Sequence, residues 1–214
     1  MVGTNLSHCQ VYGISVWDII SDERTCQDSL VITKAGEPQV LVDDLEIAQF
    51  IHLLLNHQKL RNVLNALTQR GVLLLGRFSQ GGIEDLYVIA AELRKFKYLP
   101  IIFDFVRPDA ESYTQTIKIL VGLSRFVIVD LSGPSVPQEM YATVPHFLIP
   151  FIPIIKAGLK PNSMFKDFLE YPHVLKPLEY QGIQHLAGNV ENMIIRPAEA
   201  HVREREARLK AIFG

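Results

Sequence analysis

The sequence predicts an α/β protein built on a parallel sheet with flanking helices, preceded by a small β-hairpin and a helical segment. Three observations carry that prediction. The runs Val72-Leu-Leu-Leu75, Pro100-Ile-Ile-Phe103 and Phe126-Val-Ile-Val129 are short and almost wholly apolar, as strands buried on both faces are. The first two are each followed by a loop and then a segment with apolar residues at helical spacing, and the third by a shorter helical stretch. Such alternation requires parallel pairing through right-handed crossovers.

The elements follow in order. Residues 1–29 contain Thr4-Asn-Leu-Ser-His8, with Leu6, Val11 and Val16 spaced five apart. This resembles one coil of a pentapeptide-repeat solenoid, in which an apolar residue points inward every five positions. The resemblance implies that the chain is the C-terminal piece of a longer repeat protein; a frayed N-terminal strand is the alternative. Residues 30–33 and 39–42 read as a hairpin around the turn Lys34-Ala-Gly-Glu-Pro38. Asp43 or Asp44 caps a helix with Leu45, Ile47, Ala48, Phe50, Ile51, Leu54 and Leu55 on a broad apolar face, and Asn56-His57 breaks it before a second helical stretch to residue 70.

Residues 71–196 form the α/β domain. A helix over 83–95 presents Leu86, Ile89, Ala90 and Leu93 on one face, and a second over 112–123 presents Ile117, Leu120 and Val121. A short helix at 137–143 and a strand at 148–155 follow. The remainder is less regular, with an edge strand expected at 173–177 and helices at 164–169 and 183–195. Residues 197–214 read as a solvated helix in which Glu and Arg alternate.

Composition excludes several classes. With 21 Lys and Arg against 23 Asp and Glu, the net charge is −2, so a dedicated nucleic-acid surface is not expected. Cys9 and Cys26 are the only cysteines, which argues against a disulfide framework or a thiolate metal site and fits a reducing cytoplasm. The longest apolar run, at 147–155, is too short to span a bilayer and contains two prolines. No signal peptide is visible, and no membrane partner, metal or resident cofactor is expected.

In open parallel sheets, ligands bind beyond the carboxyl ends of the strands. There the sequence places Gly76-Arg77-Phe78, Asp104 with Arg107-Pro108, and Asp130-Leu-Ser132, with Glu139 on the following helix. Arginines pair with phosphates, and carboxylates accept ribose hydroxyls, so the inventory suits an anionic, sugar-bearing ligand. Each residue also has a structural reading. Gly76 allows a tight turn, Arg77 is a solvated loop residue, and Asp104 and Arg107 shape their loop by pairing. Asp130 caps a turn, and Glu139 complements a helix dipole. The phosphate motifs GxGxxG and Walker A are absent, as are GxSxG and HExxH.

The ordering of these parts resembles a TIR (Toll/interleukin receptor) domain, a flavodoxin-like sheet, over residues 71–180. The matching segments are Leu74-Leu-Gly-Arg77, Phe103-Asp-Phe-Val-Arg-Pro108, Ser124-Arg125 before the third strand, and Ser135-Val-Pro-Gln-Glu139. The overall likeness is to the C-terminal region of bacterial pentapeptide-repeat proteins. The sequence departs from the usual Phe-Ile-Ser-Tyr at Leu73-Leu-Leu-Gly76 and from the usual Trp-Cys at Pro137-Gln138. The resemblance implies an NAD glycohydrolase of bacterial defence or signalling. Glu139 would be catalytic. Gly76, Arg77, Phe78, Asp104, Arg107, Asp130 and Ser132 would contact NAD or a related nucleotide as substrate, and loop 104–108 would mediate self-association. Two alternatives stand: a non-catalytic TIR-type interaction module, and a nucleoside deoxyribosyltransferase-like enzyme.

Overall fold

The apolar runs at 72–75 and 126–129 become strands buried on both faces, while the run at 100–103 is half-buried at the border of the sheet. The computed structural model describes residues 1–76, 82–104, 110–132, 136–161 and 163–213. They divide into two compact units, Met1–Asn65 and Ala66–Gly214.

In the larger unit, strands β3 (Gly71–Gly76), β4 (Leu99–Asp104), β5 (Phe126–Asp130), β6 (Phe151–Lys156) and β7 (Leu178–Tyr180) form one sheet. Every pairing is parallel and the order is β4-β3-β5-β6-β7. This is the flavodoxin-like order, with its topological switch point between β3 and β5.

Strand alternation sends successive side chains to opposite faces. Val72, Leu74, Phe126, Ile128, Ile152 and Ile154 pack under α3 (Gly82–Lys95), α6 (Ile183–Gly188) and the start of α7 (Arg196–Phe213). Leu73, Leu75, Val127, Val129, Phe151 and Ile155 pack on the other face with α4 (Ala110–Gly122) and α5 (Val136–Thr143). The four predicted apolar positions of α3 are all buried. Burying each such leucine or isoleucine contributes about 1.5–3 kcal/mol, so these two layers hold the unit together.

Two expectations are revised and one is refined. The edge strand predicted at 173–177 is split: Val174 makes a single parallel bridge to Phe151, and regular pairing resumes at Leu178, one residue out of register. Pro153 on β6 and Pro177 on the outer segment both lack an N–H, so the ladder cannot run through that point. Residues 164–169 are helical as expected, the helix being of the tighter 3-10 type over Ser163–Glu170. The C-terminal helix is not simply solvated, because Ala198 and Val202 are buried and Glu199 faces the sheet unit.

The smaller unit is built on a five-residue rhythm. Gly3, His8, Gly13 and Asp18 all have positive φ, at 65°, 62°, 74° and 49°. These corners lie five residues apart. A second pass of chain runs parallel to the first, with bridges Asn5 to Cys26 and Gln10 to Val31. Leu6 N–H donates to Cys26 O (2.8 Å) and Val11 N–H to Val31 O (2.8 Å). Val11 is buried and Leu6 and Val16 pack against the same cluster, which includes Leu30, Ile32, Leu45 and Ala48.

The hairpin β1 (Leu30–Val31) and β2 (Leu41–Val42) is antiparallel. Asp44 is the N-cap of α1 (Leu45–Asn56), its Oδ1 accepting from Ile47 N–H at 2.8 Å, while Asp43 accepts from Ser29 N–H. The helix stops at His57, as expected, and α2 (Gln58–Arg70) follows. No described helix is long and apolar enough to cross a membrane.

Candidate functional site

The sheet ends are where alternation stops delivering apolar residues and begins delivering polar ones. Asp130 continues the series Phe126, Ile128, and Lys156 continues Ile152, Ile154. Both therefore belong to the face covered by α3, at the carboxyl edge of the sheet. Tyr180 ends β7 opposite Lys156, and Asp85 lies in the first turn of α3.

Gly76 closes β3 at the switch point and is buried. A Cβ there would stand 3.0 Å from Leu86 Cδ1 and 3.4 Å from Asp130 Cβ. Glycine thus lets Leu86 of α3 close over the strand end, which is a more specific role than allowing a tight turn.

Asp130 is 4% exposed. Its Oδ1 accepts from Ser132 N–H at 2.9 Å, the turn-capping arrangement that its residue type favours. Ser132 Oγ accepts from Lys156 N–H at 3.0 Å, and Leu131 N–H donates to Ile154 O at 2.8 Å. The loop after β5 is therefore stitched to β6. Lys156 Nζ lies 2.6 Å from Asp85 Oδ2, an ion-pair contact whose angles fall outside those of a hydrogen bond. Tyr180 is 1% exposed. Its hydroxyl sits near the Ser132 hydroxyl without the geometry of a hydrogen bond, and has no other partner among the described residues. Burial pushes its pKa far up, and the Asp130 and Asp85 carboxylates add to that.

Of the residues expected from sequence, the structure brings Gly76, Asp130 and Ser132 together. The backbone of Asp104 ends β4 directly opposite Gly76, and Glu139 falls within α5. Arg77, Phe78 and Arg107 lie outside the described residues, as do the side chains of Asp104 and Glu139.

Lys156, Asp85 and Tyr180 were missed. The two-residue alternation running off the end of the 148–155 strand was the signal for Lys156. Asp85 looked like any first-turn helix acid, and Tyr180 lay beyond the proline that concealed its strand. Among the described residues, no group of His, Cys, Asp and Glu is placed to hold a metal ion.

A second polar network stands at the opposite edge. Arg125, just before β5, donates from Nε to Glu199 Oε1 at 2.6 Å and from Nη2 to Oε2 at 2.7 Å. Tyr98, just before β4, donates its hydroxyl to Glu199 Oε1 at 2.9 Å. The Arg125 guanidinium, together with these hydrogen bonds, holds the Glu199 carboxyl below the usual range. Burial, then the bond to Glu199, pushes the Tyr98 hydroxyl up to about 12.

No protein-family profile matches the chain, and no curated protein is similar to it.

Proposed function

We propose that the Ala66–Gly214 unit is a TIR-like domain that binds NAD at the carboxyl edge of its sheet and hydrolyses the nicotinamide–ribose bond. The observation that carries this reading is the switch point itself. There a side-chain-free Gly76 and a nearly buried Asp130 stand side by side at the ends of adjacent strands, in the strand order whose ligands bind at that place.

In the reaction the C–N bond breaks with its electron pair leaving on nicotinamide, and the ribose carbon takes on oxocarbenium character. The Glu139 carboxylate stabilises that charge electrostatically. Water then adds to the same carbon and releases its proton to solvent, giving ADP-ribose. Arg77 and Arg107 face the pyrophosphate, and Asp104, Asp130 and Ser132 order the ribose side of the site. Loop 104–108 joins copies of the domain. The five-residue corners of the smaller unit support its reading as a pentapeptide-type coil that serves as scaffold.

The test is release of free nicotinamide from NAD by concentrated protein, with Glu139→Ala as control. Loss of release in the variant supports the reading, and unchanged turnover removes Glu139 from it. Base exchange on deoxynucleosides with NAD untouched assigns the deoxyribosyltransferase chemistry instead. No nucleotide consumption at any protein concentration, with assembly lost in Arg107→Ala, assigns a non-catalytic interaction module.

A further inference from the structure

At the amino end of β6 the fold buries an imidazole. Phe151 N–H donates to His173 O at 2.8 Å, which holds Pro172 and His173 beside the first residue of that strand. His173 is 5% exposed, and its ring packs against Phe151 and Tyr171 at centroid distances of 5.9 and 5.7 Å. Its Nε2 lies 2.9 Å from Val144 O. A carbonyl oxygen only accepts, so Nε2 carries the proton and Nδ1 presents a lone pair. No described residue bonds to Nδ1. Nor is it sealed in, since the sealed side-chain atoms without partners are Asp85 Oδ2 and the Tyr180 hydroxyl. It opens on a cleft of about 190 Å³ that the ring helps to line.

The opposite wall is one face of α7. His201, Glu204, Arg205 and Arg208 recur there at helical spacing and line the cleft. Glu204 is taken by Arg208, whose Nη2 donates to Oε1 at 2.5 Å. Arg205 forms no ion pair with any described residue. Burial, aided by His201 and Arg205 and opposed by the bond to Val144, holds the His173 pKa below its ordinary value, so the ring is neutral near neutral pH.

We infer that this cleft binds a small phosphate monoester with an apolar ester arm. It offers two things at once: an uncommitted guanidinium that attracts an anion, and a buried lone pair that needs a donor. A carboxylate or a sulfate ester brings charge but no proton near neutrality, and would set an oxygen lone pair against Nδ1. A phosphate monoester has a second pKa of about 6, so much of its population still carries a P–OH. That hydroxyl donates to Nδ1 while the other oxygens meet the Arg205 fork. Leu148, 60% exposed, and Pro172 give the ester arm an apolar seat. The cleft is smaller than the ~300–1,000 Å³ that drug-sized ligands occupy, which points to a small molecule. It lies at the opposite end of β6 from the nucleotide edge and stands whatever that edge does.

The test is titration of the full chain at about pH 6, where the P–OH form is well populated, with phenyl phosphate and then with phenyl sulfate, an analogue of the same shape without the proton. NMR of the His173 ring is the readout. The expected result is a saturable shift of the His173 ring with phenyl phosphate and about tenfold weaker binding of phenyl sulfate, the effect of losing one charge-assisted hydrogen bond. Arg205→Gln, a change on the exposed side of α7, is expected to weaken phenyl phosphate by about tenfold with the melting temperature unchanged. Equal binding of the two esters, saturation confined to residues of the carboxyl edge, or no saturation at millimolar ester overturns the inference, as does full affinity in Arg205→Gln. The comparison of esters on the unaltered chain stands even if the variant fails to fold.

Discussion

At the amino ends of the strands, Arg125, Glu199 and Tyr98 satisfy one another: both carboxylate oxygens of Glu199 are engaged, and the guanidinium meets them as a fork. At the carboxyl ends the polar groups are more numerous and one of them is left over. Asp85 is paired with Lys156 at 2.6 Å, but among the described residues the buried Tyr180 hydroxyl has no partner in hydrogen-bond geometry. The first edge anchors α7 to the sheet unit. The second holds a buried tyrosine hydroxyl that the described residues leave without a hydrogen bond, a group that the proposed ligand could use.

The contrast can be broken by mutation. The largest effect is expected at the anchoring edge. Glu199→Ala removes a bidentate charged pair and the Tyr98 acceptor, and leaves Arg125 partly desolvated. The expected loss is about 2–3 kcal/mol, which lowers the melting temperature by about 5–10 °C in a unit of this size. Thermal unfolding by circular dichroism reads this directly. A change within error would mean that water replaces the pair at no cost.

A smaller effect is expected from pH. The folded pKa of Glu199 is depressed, so its contribution is complete above the unfolded carboxyl value, about 4.3. It is lost as pH falls through the folded value. Tyr98 is shifted upward to about 12, so its contribution is complete below the unfolded value of about 10 and is lost as pH rises from there towards 12. Urea midpoints measured across pH should fall at both extremes. The Glu199→Gln variant should flatten the acid limb, and Tyr98→Phe the alkaline one. Unaltered limbs in those variants would place the titrating groups elsewhere.

The smallest effect is expected at the carboxyl edge, and there the sign is the informative part. Tyr180→Phe deletes a buried hydroxyl that has no partner, so stability should stay level or rise by up to about 1 kcal/mol. A loss greater than that in denaturant unfolding would show that the hydroxyl is hydrogen-bonded after all, and the two edges would no longer differ.

The anchoring edge also shows what sequence could and could not reveal. The strands were legible because a strand buried on both faces has no choice but to be apolar, as Val72 to Leu75 are. Asp44 as a helix cap was legible because capping is local. Glu199 was not, since in a segment where Glu and Arg alternate its partner 74 residues away leaves no local trace. The same holds for the candidate site. Gly76, Asp130 and Ser132 followed from their position after strands and Lys156 from alternation along its own strand, whereas Tyr180 needed the order of β5, β6 and β7 to be known.

The broken outer strand bears on how the molecule behaves in a crowded solution. A long, flat strand edge offers unpaired N–H and C=O groups on which another chain can stack. Here β4, at one border of the sheet, carries Pro100, and at the other border regular pairing is three residues long beyond the step at Pro177. Neither border is a good template for cross-β stacking. In a test of the proposed activity, the sheet's borders would thus favour contact between folded domains over fibril growth as the concentration is raised.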